Sequence, residues 1–422
     1  MIGWIVCALG ALFYSYEYLL RITPSVMEAP LRAHFNLSAT GFGTLSGFYY
    51  YAYVAMQVPV GILMDRFGPK RLLTMACLIC VIGTVMFAGT GVFWVSAVGR
   101  FLVGLGSAFA FVGVLKLATI WLPEDKLAMV SGITSALGAL GAILGDNLLV
   151  IVIDNHGWEA TIQYTAVAGA ILTILLWFGI KDHVNDNASS GTVENFKCGI
   201  KDLLIITENP QIWINGLFGC LVYLPTTVLA ELWGIPYLQH AHMLTQESAA
   251  FANSILFVGF TIGAPLMGFI SDKLRRRKMP MLFGATGAAV VMMVILYVPG
   301  LTAYHINALM FILGLLYSSQ AIVFAVGREL SPKEAAGTAM ALTNMMVMLG
   351  AMLLQPLVGR LLDWSVYLRD KSLYMSNIAS DKMQVLYTAD DYQFALTIIP
   401  LGILIAAILT FFLRETHAHA DN

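Results

Sequence analysis

The chain carries very little charge for its length. Only 11% of its 422 residues are Asp, Glu, Lys or Arg, whereas soluble domains contain about 25%. Hydrophobic residues make up 59%, so a soluble globule of this composition would lack polar surface. A protein embedded in a bilayer needs no such surface over its lipid-facing belt. The net charge is -2, so no basic field indicates a nucleic-acid partner.

Cysteine is scarce and forms no pattern. The five cysteines are scattered and odd in number, which excludes a disulfide framework built from all of them. Cys77 and Cys80 have the spacing of a metal or redox motif, but they lie in an apolar run without a second ligand pair. We therefore predict helix packing for both, and no metal site.

Motifs of energy coupling and catalysis are also missing. The sequence has no Gly-Lys pair, so it lacks the phosphate-binding loop that an ATP-driven pump requires. Neither H-E-x-x-H nor G-x-S-x-G occurs. The pairs His240/His242 and His417/His419 fall in a loop and the tail, where solvation is expected. These absences predict a protein that is not an enzyme and uses no cofactor.

Long hydrophobic runs, by contrast, fill the sequence. A helix needs about 20 apolar residues to cross a bilayer, and twelve such runs predict an all-α membrane protein with twelve transmembrane helices. The first run starts almost at Met1 without a basic n-region or cleavage site, and we interpret it as a retained span. The predicted spans are 2–22, 40–64, 71–91, 93–121, 128–152, 160–180, 211–236, 247–271, 279–299, 303–328, 336–362 and 391–413.

Polar segments divide these spans. The segment 181–210 contains Asn-Asp-Asn-Ala-Ser-Ser-Gly and is predicted to be a flexible cytoplasmic linker. It separates an N-terminal six-helix bundle, 1–180, from a C-terminal six-helix bundle, 211–422. Two more polar segments, 23–39 and 363–390, are predicted outside the membrane. Most Lys and Arg residues fall on the inner side if both termini are cytoplasmic, which sets the predicted orientation.

One motif occurs twice, after the second and the eighth spans. Gly61-Ile-Leu-Met-Asp65-Arg66-Phe-Gly68-Pro-Lys70-Arg71 is matched by Gly268-Phe-Ile-Ser-Asp272-Lys273-Leu-Arg-Arg-Arg277-Lys, which begins 207 residues later. This offset is half the chain and predicts a duplicated six-helix unit. In each copy the Gly is expected to allow close helix approach, and the Asp to face the positive N-terminus of another helix. We predict a conformational latch; the alternative is a pair of turns whose charges only set the topology.

The latch residues predicted on this basis are Gly61, Asp65, Arg66, Gly68, Lys70, Arg71, Gly268, Asp272, Lys273 and Arg277.

The first copy resembles the signature of the major facilitator superfamily, G-x-L-x-D-R-x-G-x-[KR]-[KR], at every position. The fourth span opens Arg100-Phe-Leu-Val-Gly104-Leu-Gly106, which is also typical of that family. The second copy departs from it, with Lys273 for the Arg and Arg275 for the second Gly. The resemblance covers essentially the whole chain and implies two six-helix bundles, related by a pseudo-two-fold axis, around a central cavity that opens alternately to each side.

A narrower likeness lies in the first span. Phe13-Tyr14-Ser-Tyr-Glu17-Tyr18-Leu-Leu-Arg21-Ile-Thr-Pro is similar to the first span of phagosomal nutrient transporters of intracellular bacteria and of lysosomal dipeptide carriers. That likeness implies uptake of amino acids, short peptides or nucleosides across a bacterial inner membrane. We expect a monomer whose partners are a small solute, protons and the lipid bilayer.

Charges inside the membrane mark candidate sites, because each is costly to bury. Tyr14, Glu17, Tyr18 and Arg21 share one face of the first helix. Burial favours a protonated carboxyl and a nearby guanidinium favours the ionised form. A solute that engages Arg21 would therefore release Glu17 to take up a proton. A structural ion pair at the outer rim, or solute contact without protonation, is the alternative.

Further polar and aromatic residues complete the predicted cavity. Glu231 on the seventh span is the second candidate proton carrier, and Tyr223 corresponds to Tyr14 at an offset of 209. Arg100 is predicted to bind a carboxylate, to pair with Glu17 or to serve packing alone. Each remaining residue can contact solute or a neighbouring helix. The predicted solute-binding residues are Tyr14, Tyr18, Arg21, Tyr49, Tyr53, Gln57, Arg100, Tyr223, Thr227, Gln320 and Asn344.

The sequence thus predicts a secondary active transporter that couples uptake of a small polar nutrient to protons. Efflux or exchange of an organic anion or drug-like solute is one alternative. The Gly-Pro pair typical of drug antiporters in the fifth span is absent, which favours uptake. A receptor or scaffold built on a transporter fold is the alternative from another class, and the intact latch motifs argue against it.

Overall fold

The structure is a computed structural model that describes residues 2–89, 91–123, 126–181, 203, 205–332, 335–371 and 386–417. Within these residues the chain is α-helical and no strand occurs. The helices are α1 (Ile2–Ile22), α2 (Glu28–Phe35), α3 (Ala39–Phe67), α4 (Pro69–Ala88), α5 (Phe93–Ser107), α6 (Ala110–Trp121), α7 (Leu127–His156), α8 (Trp158–Gly179), α9 (Pro210–Val222), α10 (Gly234–Ala241), α11 (Gln246–Leu274), α12 (Lys278–Tyr297), α13 (Ala303–Tyr317), α14 (Ile322–Glu329), α15 (Ala336–Arg369), α16 (Ala389–Leu396) and α17 (Ile398–Phe412).

These helices confirm the predicted all-α membrane architecture. Eleven helical segments of the described residues are long and apolar enough to cross a bilayer. Helix α3 is the twelfth, with 29 residues. Its tyrosines and Gln57 make it more polar than the others. Phe178 and Phe411 are examples of large apolar side chains on the exterior, as expected of a lipid-facing surface.

Several spans are interrupted at the point where the sequence disfavours a regular α-helix. The seventh span contains a π-helical segment, Pro225–Trp233, between α9 and α10. It begins at Pro225, which lacks the N–H that would continue the ladder of α9. The tenth span contains a 3-10 turn, Ser318–Ala321, where short polar side chains compete for backbone hydrogen bonds.

Two of the predicted polar segments contain helical structure. Residues 23–39 contain a 3-10 turn, Thr23–Met27, and then α2, and the residues of that turn are buried. Helix α15 continues seven residues past the predicted end of its span at 362, to Arg369. The helix passes Asp363 because that carboxylate is buried and hydrogen-bonded, and Val366 beyond it is buried as well. The predicted linker falls largely outside the described residues.

The chain forms two compact units. The first unit comprises Met1–Arg21 and Phe48–Ile205, and the second comprises Ile22–Gly47 and Ile206–Asn422. In the first, α4 packs against α5 and α8, whereas in the second, α11 packs against α13, and α9 against α15 and α17. The predicted bundles place the boundary at 180–211 and assign 22–47 to the N-terminal bundle. That division stays a prediction.

Candidate functional site

A buried ion pair lies near the end of α1. Glu17 and Arg21 are one helical turn apart and have 0% and 1% of their surface exposed. The Arg21 Nη2 donates to both Glu17 carboxylate oxygens, at 3.0 and 3.2 Å. The predicted pairing is therefore present. Removing two charges from water is expensive, so such a pair persists only if further hydrogen bonds satisfy it.

Tyr49 of α3 supplies those hydrogen bonds. Its hydroxyl accepts from Arg21 Nε at 3.0 Å and donates to Glu17 Oε2 at 2.9 Å. Glu17, Arg21 and Tyr49 form a closed triangle of hydrogen bonds, which we call the buried triad. Tyr49 is itself fully buried. A phenol suits this position because its oxygen donates and accepts at once.

Aromatic rings surround the Arg21 guanidinium. Its Cζ lies 4.2 Å from the ring centre of Tyr18 and 5.0 Å from that of Tyr53. Cations are attracted to ring faces at such distances, most strongly where water is excluded. Tyr14 packs against Tyr18 at a centroid distance of 5.1 Å and against Phe111 at 5.2 Å. The structure thus brings together the residues predicted on the first and second spans.

Arg100 of α5 contacts the backbone of α1. Its Nη1 donates to the Leu20 carbonyl at 2.8 Å and its Nη2 to the Arg21 carbonyl at 3.3 Å. These carbonyls end a helix whose C-terminus carries partial negative charge, which a cation stabilises. Gly104, one turn further along α5, allows α5 to approach α3 closely, because a Cβ there would lie 1.9 Å from the Tyr49 carbonyl oxygen. Arg100 therefore fixes the backbone that carries the buried triad.

The second unit has its own aromatic cluster. Tyr223 lies 5.7 Å from Phe260 and 6.1 Å from Tyr317 between ring centroids. The Tyr317 hydroxyl is 2.6 Å from Thr226 Oγ1. Tyr14 and Tyr223, which correspond in the repeat, thus each lie among aromatic residues of their own unit.

Glu231 lies on the π-helical segment and is 1% exposed. Thr227 and Glu231 therefore differ in register from the same residues in a regular α-helix. Gln355 of α15 binds this segment, because its Nε2 donates to the Thr227 carbonyl at 2.7 Å. Its backbone carbonyl accepts from Trp233 Nε1 at 3.1 Å. π-helical segments are frequent at functional sites, which makes Glu231 a candidate of the second unit.

The remaining predicted solute-binding residues are buried or half-buried. Gln57 Nε2 donates to the Tyr53 carbonyl at 3.3 Å. Thr227 Oγ1 donates to the Tyr223 carbonyl at 3.2 Å. Gln320 is buried in the 3-10 turn, and Asn344 is half-buried on α15. None of these four residues is exposed.

The first latch motif joins α3 to α4. Gly68 precedes α4 with φ 76° and ψ 151°, a backbone region that is essentially restricted to glycine. Lys70 lies 5.0 Å above the ring of Trp177, and Arg66 is 5.0 Å from that of Phe67. The side chain of Asp65 lies outside the described part of the structure, and Arg71 is exposed.

The structure does not support the close helix approach that was predicted at the first glycine of each latch motif. A Cβ added at Gly61 or Gly268 would meet no described atom within 4 Å. Close helix approach at these two glycines, which the sequence predicted, is therefore absent from the described residues.

The second latch motif forms an ion-pair network. Arg277 donates to Asp272 Oδ1 at 2.5 Å, to Ser271 Oγ at 3.0 Å and to Glu329 Oε1 at 2.6 Å. Burial alone would lower the pKa of Arg277, but the hydrogen bonds to Glu329 and Asp272 raise it above its ordinary value. Thr416 also donates to Glu329. Lys273 is exposed and takes no part in these bonds.

Sequence reasoning missed a polar cluster at the other end of α15, formed by Asp363 with Thr40 and Tyr387. The apolar residues that follow Asp363 in the sequence were the signal that the helix continues past it. His242 was also predicted to be solvated, but it is half-buried and its Nε2 lies 3.0 Å from the Ile295 carbonyl. The described residues hold no group of three or more His, Cys, Asp or Glu suited to a metal ion.

Comparison with known families decides the identity of this fold. The family model of the Major Facilitator Superfamily matches residues 6–355, which is most of the chain. The chain belongs to the Major Facilitator Superfamily. It is therefore a multi-pass membrane transporter and not an enzyme, as the sequence predicted, and its helices follow the twelve-span plan of that superfamily.

Two relatives illustrate the range of proteins to which this chain is similar. The "Probable sulfoacetate transporter SauU" of Cupriavidus necator is 23% identical over 280 residues, covering 63% of this chain and 64% of that protein. The match thus spans slightly less than two thirds of that relative. The "Lysosomal dipeptide transporter MFSD1" of Mus musculus is 23% identical over 388 residues, covering 86% and 80%. The likeness to lysosomal dipeptide carriers is confirmed.

A solved structure shows the same major facilitator fold. A bacterial homologue of the human lysosomal transporter Spinster, in an inward-facing and unoccupied conformation, has a TM-score of 0.78 to this chain. The alignment covers 98% of this chain and 97% of that structure, at 16% sequence identity. At this level of identity the match demonstrates the fold alone.

Proposed function

We propose that this transporter takes up a small polar organic nutrient, namely an amino acid, a short peptide or a nucleoside, together with protons. The buried triad is the observation that supports this proposal most directly. It places a carboxylate and a guanidinium in contact inside the first unit, where an uncompensated charge would be costly. A structure that needed only helix packing would be served as well by apolar residues of similar volume.

The coupling step follows from competition for Arg21. In the described conformation the Arg21 guanidinium is hydrogen-bonded to both Glu17 carboxylate oxygens, and a nearby cation favours an ionised carboxylate. An anionic group of the solute that binds Arg21 displaces Glu17. The freed carboxylate, still surrounded by protein, then binds a proton, and solute and proton move together. Glu231 of the second unit is proposed as an additional proton carrier.

Transport of an organic anion is the second candidate, and one observation favours it. Arg21 and Arg100 place two guanidinium groups around the end of α1, with Glu17 the only carboxylate in the buried triad. A relative named for sulfoacetate transport supports this candidate. An anion carrier would use the same arginines without taking up a proton at Glu17.

We further propose a bacterial inner-membrane protein that works as a monomer with both termini in the cytoplasm. The two latch motifs would then lie on the cytoplasmic face. The excess of Lys and Arg on that side supports this orientation.

The test begins with a thermal-shift screen of the purified protein against amino acids, dipeptides, nucleosides and organic acids. Uptake of the stabilising solute is then measured in proteoliposomes with and without an inward proton gradient. We expect Glu17→Gln to reduce gradient-driven uptake at least tenfold while solute-induced stabilisation persists. The control is Glu159→Gln, an exposed carboxylate at the start of α8.

The outcomes separate the candidates. Gradient-driven uptake that survives Glu17→Gln rejects coupling at Glu17. Stabilisation by organic acids, with flux that ignores the proton gradient, favours the anion carrier. Solute binding without flux of any kind would identify the receptor alternative.

A further inference from the structure

Helix α3 is divided between the two compact units. Its first residues, Ala39–Gly47, belong to the second unit, whereas the helix from Phe48 onwards belongs to the first. The segment 22–47 as a whole is attached to the second unit although it lies between two parts of the first in sequence. Contacts at the start of α3 hold this segment on the second unit.

Asp363 of α15 accepts four hydrogen bonds at this point. Its Oδ2 accepts from the backbone N–H of Thr40 at 3.0 Å and from the Thr40 hydroxyl at 2.5 Å. Its Oδ1 accepts from the backbone N–H of Ala39 at 3.3 Å and from the Tyr387 hydroxyl at 2.5 Å. A carboxylate from another helix thus occupies the N-terminus of α3, where the helix dipole favours negative charge.

The backbones are in close contact around this carboxylate. A Cβ at Gly359, one turn before Asp363 on α15, would lie 2.2 Å from the Ala39 carbonyl oxygen. One turn into α3, a Cβ at Gly43 would lie 2.5 Å from the Gln355 carbonyl oxygen. No larger side chain fits at either glycine. The first turns of α3 and the end of α15 therefore form a tightly packed seam.

Tyr387 extends the seam to α2. Its hydroxyl donates to Asp363 and accepts from the Ala39 N–H at 2.9 Å. Its ring lies 4.6 Å below the Arg32 guanidinium, which pairs with Glu28 at 2.8 Å. Burial, and then the negative charge of Asp363, raise the pKa of Tyr387, so its proton stays available for the bond to Asp363.

We propose that Asp363 is a releasable clamp that seals the outer end of the transporter by holding the N-terminus of α3 against α15. Release of the four bonds frees Ala39–Gly47 to move with the rest of its own helix. The seal lies at the end of α3 opposite the first latch motif, because α3 begins beside Asp363 and ends just before Gly68. The inference rests on the transporter function of the superfamily and on the predicted orientation, and it needs neither the solute nor proton coupling.

The internal repeat provides a comparison for this carboxylate. Asp154 of α7 corresponds to Asp363 at the same offset of 209 that relates Tyr14 to Tyr223. Asp154 is exposed, whereas Asp363 has 5% of its surface accessible. The two halves thus share the residue, but in this conformation only the copy on α15 is buried against a helix N-terminus. Asp154 therefore provides a matched control.

The experiment measures access to the seam with a thiol introduced by Ser46→Cys, a nearly isosteric substitution. Ser46 lies in the first turns of α3 and is 2% exposed. The four described native cysteines are buried, and the parent protein gives the background. The rate at which a membrane-impermeant maleimide labels the introduced thiol is measured in intact cells, with each labelled site identified by mass spectrometry.

We expect Asp363→Asn to raise the labelling rate at position 46 about tenfold and Asp154→Asn to leave it unchanged. Asn cannot accept at both positions, so it loses the bonds from Thr40. Tyr387→Phe removes one of the four bonds to Asp363, together with the bond that the hydroxyl accepts from the Ala39 N–H. It should raise the rate by a smaller factor and serves if Asp363→Asn does not fold. An unchanged rate in a folded Asp363 or Tyr387 variant overturns the clamp. Equal gains at position 46 and at buried Cys220 also overturn it, since they would indicate general loosening.

Discussion

At the scale of single residues, sequence spacing predicted contacts within one helix and missed those between helices. The pair of Glu17 and Arg21 follows from an i, i+4 spacing on α1. Tyr49, which completes the buried triad, lies 32 residues from Glu17. Nothing in its own helix distinguishes it from Tyr50 or Tyr51. Which tyrosine reaches the ion pair depends on how α3 packs against α1 and α5, and that is a property of the tertiary structure.

His242 shows how a residue predicted to be solvated acquires a role through its neighbours. Its Nε2 lies 3.0 Å from the Ile295 carbonyl and 3.1 Å from the Tyr237 hydroxyl. Since a carbonyl can only accept, the Nε2 carries the proton. Burial lowers the pKa of His242 below 6.5, and the Ile295 carbonyl does not fully offset this effect.

This environment predicts a specific pH dependence of stability. The unfolded chain binds a proton at His242 more readily than the folded protein, so stability falls as pH decreases below about 6.5 and levels off below the folded pKa. We expect His242→Gln to remove about 1–2 °C of the decrease in melting temperature between pH 7.5 and 5.5. The measurement is thermal unfolding in detergent at both pH values.

The exposed His156 at the end of α7 serves as the control for this prediction. His156→Gln should leave the difference in melting temperature between the two pH values unchanged. An identical decrease in wild type and His242→Gln would contradict the proposed protonation.

At the scale of elements, the apolar runs predicted every span to within a few residues, except at the end of α15. The interruptions were not predictable in the same way. A π-helical or 3-10 segment differs from an α-helix by one residue per hydrogen-bonded loop, and apolar periodicity is too coarse to detect that difference. The helical structure of residues 23–39 was not predicted, because the charges of Glu28 and Arg32 made the segment look polar. In the structure the two side chains pair with each other and are largely buried.

Two glycines of the first latch motif are predicted to contribute differently to the stability of the protein. Gly68 needs its positive φ, so Gly68→Ala should destabilise the protein by about 1–3 kcal/mol. Gly61 lies within α3 and has free space around it, so Gly61→Ala should leave stability unchanged or raise it by up to about 1 kcal/mol. Melting temperatures of the two purified variants test this contrast. Equal destabilisation by both would show that Gly61 is packed in a manner this conformation does not display.

At the scale of the whole molecule, the repeat was visible in the sequence because its charged motifs recur at half the chain length. The attachment of residues 22–47 to the second unit was not visible, because it depends on Asp363 and its long-range hydrogen bonds. The boundary of the two bundles and the inward position of the latch therefore stay predictions.

Membrane topology provides the test at this scale. If both termini are cytoplasmic, the thiol introduced by His156→Cys should react with an impermeant maleimide in intact cells. The thiol introduced by Arg276→Cys, at an exposed site between α11 and α12, should react only after the membrane is permeabilised, with at least a tenfold difference in rate. The reverse pattern would invert the orientation and place the Asp363 clamp on the cytoplasmic face.

The π-helical segment that Gln355 binds has a second register available to it, namely that of a regular α-helix. A π-helix closes its hydrogen bonds between residues i and i+5, whereas an α-helix turns by about 100° per residue. Restoring the α-helix from Pro225 onwards would shift the ladder by one residue and turn everything after it through roughly that angle. Glu231 and Trp233 would then face different neighbours. A shift of one residue in the hydrogen-bond ladder would thus change which side chains lie next to the buried carboxyl of Glu231.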